Sequence, residues 1–323
     1  MHQTTRPQIH FHINPREAHD WRGRDRLALF TRLAEMCEAH GLVFRALARP
    51  PEEMQPNDGA DDGNLHIVEN GRMQGAGWLN AATAYIRGFW HMDPRGVQAE
   101  STAREAVFDP RKVDGPAARA FFQSMQKRFV TPRLSRFRQP RAQADDLPEG
   151  AVALFLQGRS AYHAGRCKLP MDRMIRCVAS GAGGRALLVK PHPQAVDEGL
   201  AAIARATAMG AQVQLTQANV HDVLAAAAVT VSVNSAVAME GFLHRKPAIL
   251  FGRSDFPRLA TQARDEVDFP AALEAALSAH WPYPKMLHWY FGQHTLELAA
   301  PDFEDRALAA FARVGFSRQR LGL

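Results

Sequence analysis

The feature that most constrains the fold is a regular alternation of short apolar runs and amphipathic stretches between residues 151 and 279. The apolar runs predict buried strands at Ala151–Gln157, Arg185–Lys190, Gln212–Thr216, Val229–Val233 and Pro247–Gly252. The stretches between them predict helices at Met171–Ser180, Val196–Met209, Val220–Ala227, Ala236–Arg245 and Pro270–Ala279. Because these strands have no polar face, they indicate a parallel sheet covered by helices on both sides, as in a Rossmann-like domain.

The first part of the chain repeats this pattern less regularly. It predicts strands at Gln8–Ile13, Leu42–Leu47 and Asn64–Glu69 and a helix at Arg24–His40. The acidic stretch Glu52–Asp62, rich in Gly, Pro and Asn, predicts a solvated loop. Two Rossmann-like halves facing each other across a cleft form the α/β architecture called GT-B, which is the fold class that we expect.

A cationic segment separates the two halves. Residues 127–141 contain no acid, and they are followed by two aspartates and a proline; the residues concerned are Lys127, Arg128, Arg133, Arg136, Arg138, Arg141, Asp145, Asp146 and Pro148. We interpret the segment as the end of the first domain and the linker, which predicts domains at 1–145 and 146–285. Residues 286–323 contain two further predicted helices, Leu287–Leu298 and Phe303–Val314, which in this architecture often cross back to the first domain.

The composition argues against several classes of protein. Of 323 residues, 46% are apolar and 22% are charged, which is typical of a globular protein. No apolar run is long enough to cross a membrane and the amino terminus is polar, so we expect a cytoplasmic protein. Three cysteines without a CxxC pair indicate neither a disulfide framework nor a zinc ribbon. The net charge of +6 favours anionic partners, but no basic stripe with interleaved aromatic residues points to nucleic acid.

The sharpest motif is Lys190-Pro191-His192-Pro193, directly after a predicted strand. Ligands of open α/β sheets bind at the carboxyl ends of strands, and the two prolines restrict the backbone that presents His192 there. The imidazole can donate to a phosphate or nucleotide oxygen. The alternative is a strand-end turn with an incidental histidine.

A second motif, Ser232-Val233-Asn234-Ser235, lies where a predicted strand passes into a helix. Amide groups at a helix amino terminus, with Ser and Asn side chains, can bind a phosphate, and an ordinary helix cap is the compatible alternative. Glu240 follows in an otherwise apolar helix, where an unpaired carboxylate is costly. A ribose hydroxyl pair is one partner for it, and a salt bridge to Arg245 or Lys246 is the other.

In the first half, the strand ending at Glu69 leads into Asn70-Gly71, and a second acid, Asp93, precedes a turn with Gly96-Val97 and Ser101. A carboxylate at a strand end is a candidate general base or nucleophile, although an acid beside glycine is usually a turn former.

A metal site is not expected. His10 and His12 share one face of a predicted strand, but no strand-spaced set of further ligands follows. The sequence also has no GxSxG, Walker, GxGxxG or HExxH motif, which argues against hydrolase, NTPase and dehydrogenase classes.

Taken in order, these motifs resemble the bacterial capsule polysaccharide biosynthesis proteins, the family containing transferases that attach ketodeoxyoctulosonic acid (Kdo) to a phospholipid anchor. The similarity covers about residues 64–255 and is most specific over 185–252; it rests on Glu69-Asn70-Gly71, on Asp93 with Gly96-Val97 and Ser101, on the strand with Gln157, on the Lys-Pro-His-Pro motif and on SVNSAVAMEGFLHRKPAILFG. Related His-Pro and Ser motifs occur in bacterial sialyltransferases, which also use CMP-activated sugar acids. The family motif often has Asp where this chain has Asn70, so the catalytic carboxylate is open between Glu69 and Asp93.

The resemblance implies a metal-independent, GT-B-type glycosyltransferase without a bound cofactor, which transfers Kdo from CMP-Kdo to a glycan or glycolipid. It implies a donor site at Gln157, Lys190, His192, Pro193, Ser232, Asn234, Ser235 and Glu240. The alternatives are a UDP-sugar or CDP-polyol transferase and a non-catalytic capsule assembly or export partner. For an enzyme that extends a lipid-linked glycan, the cations of 127–141, with Phe129 and Phe137, predict peripheral contact with an anionic membrane. The alternative is that these arginines pair with acids at the domain junction.

Overall fold

The computed structural model describes residues 6–144, 146–158, 160–163 and 167–323. Its internal contacts divide the chain into two compact units. The first unit runs to Ala106 and resumes with Phe291–Leu323, and the second unit is Val107–Tyr290. The chain thus changes unit after Ala106 and after Tyr290, whereas the sequence placed the boundaries after residues 145 and 285.

The strands, in chain order, are β1 (Ile9–Ile13), β2 (Phe44–Ala48), β3 (Asn57–Asp58), β4 (Leu65–Glu69), β5 (Met73–Gln74), β6 (Trp78–Thr83), β7 (Phe89–Asp93), β8 (Ala151–Phe155), β9 (Leu187–Lys190), β10 (Gln214–Leu215), β11 (Ala227–Ser232), β12 (Ala248–Leu250), β13 (Thr261–Gln262) and β14 (Leu296–Glu297). The α-helices are α1 (Ala28–Ala39), α2 (Gly115–Met125), α3 (Ser160–His163), α4 (Met171–Gly181), α5 (Val196–Ala208), α6 (Val220–Ala226), α7 (Val237–Leu243), α8 (Asp268–Ser278), α9 (Tyr283–His294), α10 (Phe303–Arg313) and α11 (Arg318–Leu321).

The first unit is built on a six-stranded sheet in the order β14-β7-β6-β4-β1-β2. Strands β2, β1, β4 and β6 are parallel, and β7 is antiparallel to both of its neighbours. One face of this sheet packs against α1 and α10 in a core that includes Phe11, Phe30, Ile67 and Phe311. The carboxyl-terminal segment therefore supplies a strand and a helix to the first unit.

The second unit is built on a parallel six-stranded sheet in the order β10-β9-β8-β11-β12-β13. Both faces are buried, because Val152 and Leu154 of β8 point into one apolar cluster while Ala153 and Phe155 point into another. The structure confirms the predicted alternation of strands and helices. The pattern is recognisable in the sequence because strands that are buried on both faces are mostly apolar.

Residues 107–145 were predicted to end the first domain, yet the described part of this stretch packs within the second unit. The contacts are made to the amino-terminal end of α6. The Arg133 guanidinium lies 2.5 Å from Asp222 Oδ2, the Val220 amide donates to Gln139 Oε1, and the Asn219 amide side chain donates to the Pro140 carbonyl. The segment thus packs on this unit through specific partners, one of which is the ion pair of Arg133 with Asp222.

Candidate functional site

A pocket in the second unit gathers much of the predicted donor site. Its volume is about 60 Å³. It is lined by the turn after β9, by the start of α7 and by the segment of residues 134–142, which we call the strap. The lining residues include Lys190, His192, Pro193, Ser235, Glu240, Ser135, Arg136 and Phe137. The pocket lies at the carboxyl end of a parallel strand, where open α/β sheets bind ligands.

His192 is held in a defined orientation. Its Nδ1 accepts a hydrogen bond from the Gln194 amide at 3.1 Å, which leaves the proton on Nε2. Burial, and then the charge of Arg136, lower the pKa of His192, so the neutral imidazole is favoured. On its other side the Phe137 ring packs edge-on, with the centroids 4.9 Å apart. A neutral imidazole with Nε2–H can donate one hydrogen bond to a bound anion.

Lys190 has a different position from the one expected of a phosphate ligand. Its Nζ donates to the Ala218 carbonyl at 2.7 Å, and burial lowers the pKa of the ammonium. The side chain therefore ties β9 to the loop before α6 at the edge of the pocket.

Glu240 is buried on α7, and its pKa is raised to about 7 by desolvation. The Ser135 hydroxyl and the Arg136 backbone amide donate hydrogen bonds to its carboxylate, and the Arg136 charge also favours ionisation. The predicted alternative, a salt bridge to Arg245 or Lys246, is wrong. Arg245 lies over the Phe122 ring, and Lys246 Nζ donates to the Ala225 carbonyl.

Four of the predicted donor residues form hydrogen bonds that hold the backbone around the pocket. Gln157 and Asn234 bind each other twice, because Gln157 Nε2 donates to Asn234 Oδ1 at 3.0 Å and Gln157 Oε1 accepts from the Asn234 amide at 2.8 Å. Ser232 Oγ accepts from the Ser235 amide, and Ser235 Oγ accepts from the Val237 amide. The N-cap residue of α7 is Ala236, which forms no side-chain cap, and the two serine hydroxyls instead hold the turn that enters this helix.

Sequence reasoning missed the strap. The sequence feature in this segment was the run of arginines, which we interpreted as a linker. Composition does not show that Ser135 and Arg136 contact Glu240 or that Phe137 contacts His192. These contacts join positions 55 to 105 residues apart in the chain.

In the first unit, Glu69 ends β4 in a network of charges. Its carboxylate accepts from the Asn14 amide at 2.8 Å and lies 3.1 Å from the Arg26 guanidinium, whose side chain is half exposed. Arg49 is buried beside it and donates to the Glu69 carbonyl. Asn70 follows in the left-handed region with φ 52° and is exposed, a conformation that Asn tolerates well.

Asp93 ends β7 and organises the turn that follows. Oδ1 accepts from the Arg95 and Gly96 amides, and Oδ2 accepts from the amide and hydroxyl of Thr102. A carboxylate offers about four acceptor sites, so this one is fully used within the protein.

The sheet register separates the two carboxylates. Glu69 lies opposite Ala81, which lies opposite Met92, and these three side chains point to one face of the sheet. Asp93 follows Met92 and therefore points to the other face. Glu69 and Asp93 therefore lie on opposite faces of the sheet.

The first unit also contains a polar cavity of about 350 Å³. Asp93, Thr102 and His294 line it together with two arginines of α10. The arginines donate to main-chain carbonyls, Arg306 to Thr295 and Arg313 to Met92.

Among the described residues, no helix combines the length and the apolar character that crossing a membrane requires.

Comparison with protein-family models finds no match, and comparison with curated protein sequences finds none either. Among solved structures, the chain is similar to KpsC of Thermosulfurimonas dismutans, described as a beta Kdo 2,7 transferase, with a TM-score of 0.52 and 11% identity over 95% of this chain and 99% of that one. A second KpsC structure from the same organism, described as a beta Kdo 2,4 transferase, gives a TM-score of 0.50 and 13% identity over 86% of this chain and 92% of that one. The chain therefore has the α/β fold of two Rossmann-like units seen in GT-B glycosyltransferases, as its sequence predicted.

Proposed function

We propose that the protein is a glycosyltransferase of surface-polysaccharide synthesis that transfers a sugar acid, Kdo, from CMP-Kdo to a glycan or glycolipid. The observation that carries the proposal is the pocket in which the Lys-Pro-His-Pro turn, Ser235 and Glu240 meet. The motif resemblance and the fold shared with the KpsC Kdo transferases support it.

The pocket offers groups suited to a nucleotide monophosphate. His192 Nε2–H and the Arg136 guanidinium can donate to the phosphate, which stabilises the charge that develops on the leaving group. Glu240 can accept from ribose hydroxyls or from an exocyclic amino group, as a buried carboxylate needs such donors. These groups would stabilise the leaving group as a metal ion does in other transferases, and so the proposed reaction is metal-independent.

A nucleotide requires more room than the pocket has. Ligand sites for molecules of this size occupy roughly 300 Å³ or more, against about 60 Å³ here. Phe137 and the main chain of Arg136 occupy the space beside His192 and Glu240. We infer that the strap shifts outward when the donor binds and that Arg136 then faces its phosphate.

For the chemical step, we assign the general base to Glu69. Its carboxylate can be released by movement of the half-exposed Arg26 side chain, whereas release of Asp93 would break the turn that it holds. Glu69→Gln is expected to abolish transfer while CMP binding is kept. Asp93→Asn is expected to keep transfer in the fraction of protein that stays folded.

The proposal is tested by melting the protein with CMP, UDP and CDP. A ligand at 100 times its dissociation constant stabilises the folded state by about 2.7 kcal/mol. We expect CMP to raise the melting temperature most, and CMP-Kdo to release CMP when an acceptor is present. A response to UDP or CDP alone would instead favour a UDP-sugar or CDP-polyol transferase.

A second candidate, a non-catalytic capsule assembly partner, is favoured by Asn70 and by the ion pairs of Glu69. Such a protein would bind CMP without transfer. Asn70→Asp separates the cases, since aspartate also tolerates a positive φ. Transfer gained only by this variant would show that the native chain has lost its catalytic carboxylate.

A further inference from the structure

Three histidines meet on the face of the first unit's sheet opposite to α1. His10 and His12 lie on β1, and His66 lies on β4 directly opposite His10. One ring nitrogen from each lies within 4.8 Å of the others, and His12 Nε2 and His66 Nδ1 are 2.9 Å apart. His12 and His66 are buried, and His10 is half-buried.

Carboxylates hold the outer nitrogens of two of these rings. Glu53 Oε1 lies 2.9 Å from His12 Nδ1, and Asp62 Oδ1 lies 3.0 Å from His66 Nε2. Metal-binding histidines characteristically have a carboxylate on the nitrogen that faces away from the ion, because it orients the ring and increases its basicity. The arrangement leaves His12 Nε2 and His66 Nδ1 turned toward each other and toward His10.

Both carboxylates come from the loop that was predicted to be solvated. Glu53 is buried, the Ala60 carbonyl accepts from the Trp78 indole at 3.0 Å, and Trp78 stacks on His66 with the ring centroids 4.1 Å apart. Residues 50–64 therefore reach the histidines through Glu53 and Asp62, while most of the described residues between these two are exposed, as the sequence predicted.

We propose that His10, His12 and His66 bind one zinc-class divalent cation that fastens the loop of residues 50–64 to the sheet. Three imidazoles suit zinc, cobalt and nickel, and the two carboxylates offset the charge of a divalent ion. Zn–N bonds of about 2.05 Å in a tetrahedron place the nitrogens about 3.3 Å apart. The 2.9 Å between His12 and His66 is close to this value, and His10 has to approach the pair.

The site is separate from the proposed transfer chemistry. His10, His12 and His66 point to one face of the sheet and Glu69 points to the other, although His12 pairs with Val68, the residue before Glu69. The proposed metal site does not depend on the donor assignment, and it can be tested without a nucleotide.

The test titrates Co(II) into the metal-stripped full chain and follows the visible absorption typical of tetrahedral cobalt. We expect one Co(II) per chain, displaced by one Zn(II), and slower hydrogen exchange in residues 50–64 when Zn(II) is bound. His66→Asn is expected to weaken binding at least 100-fold. His10→Gln, at a half-buried position that is less critical for folding, is expected to weaken it at least tenfold.

Removal of an outer carboxylate by Asp62→Asn or Glu53→Gln is expected to weaken binding about 10- to 100-fold. The matched control is His244→Ala, which should leave Co(II) binding unchanged. His221 and His244 in the second unit also place ring nitrogens 2.9 Å apart, but among the described residues no third ligand joins them. Equal Co(II) affinity in wild type and His10→Gln, or no tetrahedral spectrum at all, would overturn the site. Binding without slower exchange in residues 50–64 would overturn its role in fastening the loop.

Discussion

The ring of Phe137 packs edge-on against the imidazole of His192 and occupies the pocket beside it. In the same strap, the Ser135 hydroxyl and the Arg136 amide bind Glu240. A short segment therefore contacts two of the groups that the sequence predicted to bind the donor.

Phe137→Ala is expected to tighten CMP binding several-fold, because less of the strap then has to be displaced from the pocket. The loss of the aromatic contact should lower the free energy of unfolding by about 1 kcal/mol. Calorimetric titration with CMP and urea denaturation measure the two effects. Arg138→Ala, at the exposed neighbouring position, is the control, and equal CMP affinity in both variants would contradict a covering role for Phe137.

His192→Ala is expected to weaken CMP binding by about 1.5 to 3 kcal/mol, which is the usual contribution of a hydrogen bond to a charged group. The fold should persist, since the residue lies in a turn and is only half-buried. Titration with CMP provides the measurement. His280→Ala removes an exposed histidine of the same unit and should change nothing; wild-type affinity in the His192 variant would place the nucleotide elsewhere.

Glu240 makes stability depend on pH. Its pKa is about 7 in the folded protein and near 4.5 when unfolded, so between these values the folded state binds more protons. The free energy of unfolding should therefore fall as pH rises from 4.5 to 7, by an amount on the order of 3 kcal/mol. Glu240→Gln should remove this part of the slope.

The measurement is urea denaturation of wild type and Glu240→Gln at several pH values. Glu274→Gln, on the exposed side of α8, serves as the control and should follow wild type. If the free energy of unfolding changes with pH in the same way in wild type and in the Glu240 variant, the pKa of this carboxyl is not raised in the folded protein.

Asp93→Asn is expected to lower the free energy of unfolding by about 2 to 3 kcal/mol. An amide group in place of one oxygen leaves buried N–H donors without an acceptor. Asp114→Asn is the matched control, because Asp114 caps α2 and asparagine caps helices equally well. Thermal or urea denaturation measures the free energy of unfolding of both variants. Equal values for Asp93→Asn and Asp114→Asn would contradict the structural role that we assign to Asp93.

Peripheral membrane binding remains a prediction for the cationic segment. Phe129 is buried and Phe137 faces His192, so attraction would come from exposed cations such as Arg138 and Arg141. Each cation near an anionic surface contributes about 1 kcal/mol, and so replacing both with serine should weaken binding to anionic vesicles about tenfold or more. Sedimentation at low and high salt measures this effect. The control replaces the exposed Arg119 and Arg258, and binding insensitive to salt would contradict an electrostatic contact.

The sequence by itself determined the second unit most completely. Strands such as β8 and β9 are buried on both faces, and this burial requires apolar residues that a reader can recognise along the chain. The turn that presents His192 could be placed for the same reason, because it directly follows such a strand. The strands of the first unit were harder to predict, since β6 contains Asn80 and β7 contains Asp93, whose polar groups are satisfied by neighbouring segments.

Tertiary structure alone decided which residues meet. The strap reaches Glu240 and His192, the loop of residues 50–64 contacts the histidines, and His66 joins His10 through the pairing of β1 with β4. It also decided that Glu69 and Asp93 point to opposite faces, because a difference of one position in register reverses the direction of a side chain. Local sequence determines the periodicity of an element, whereas contacts between distant segments depend on how the elements pack.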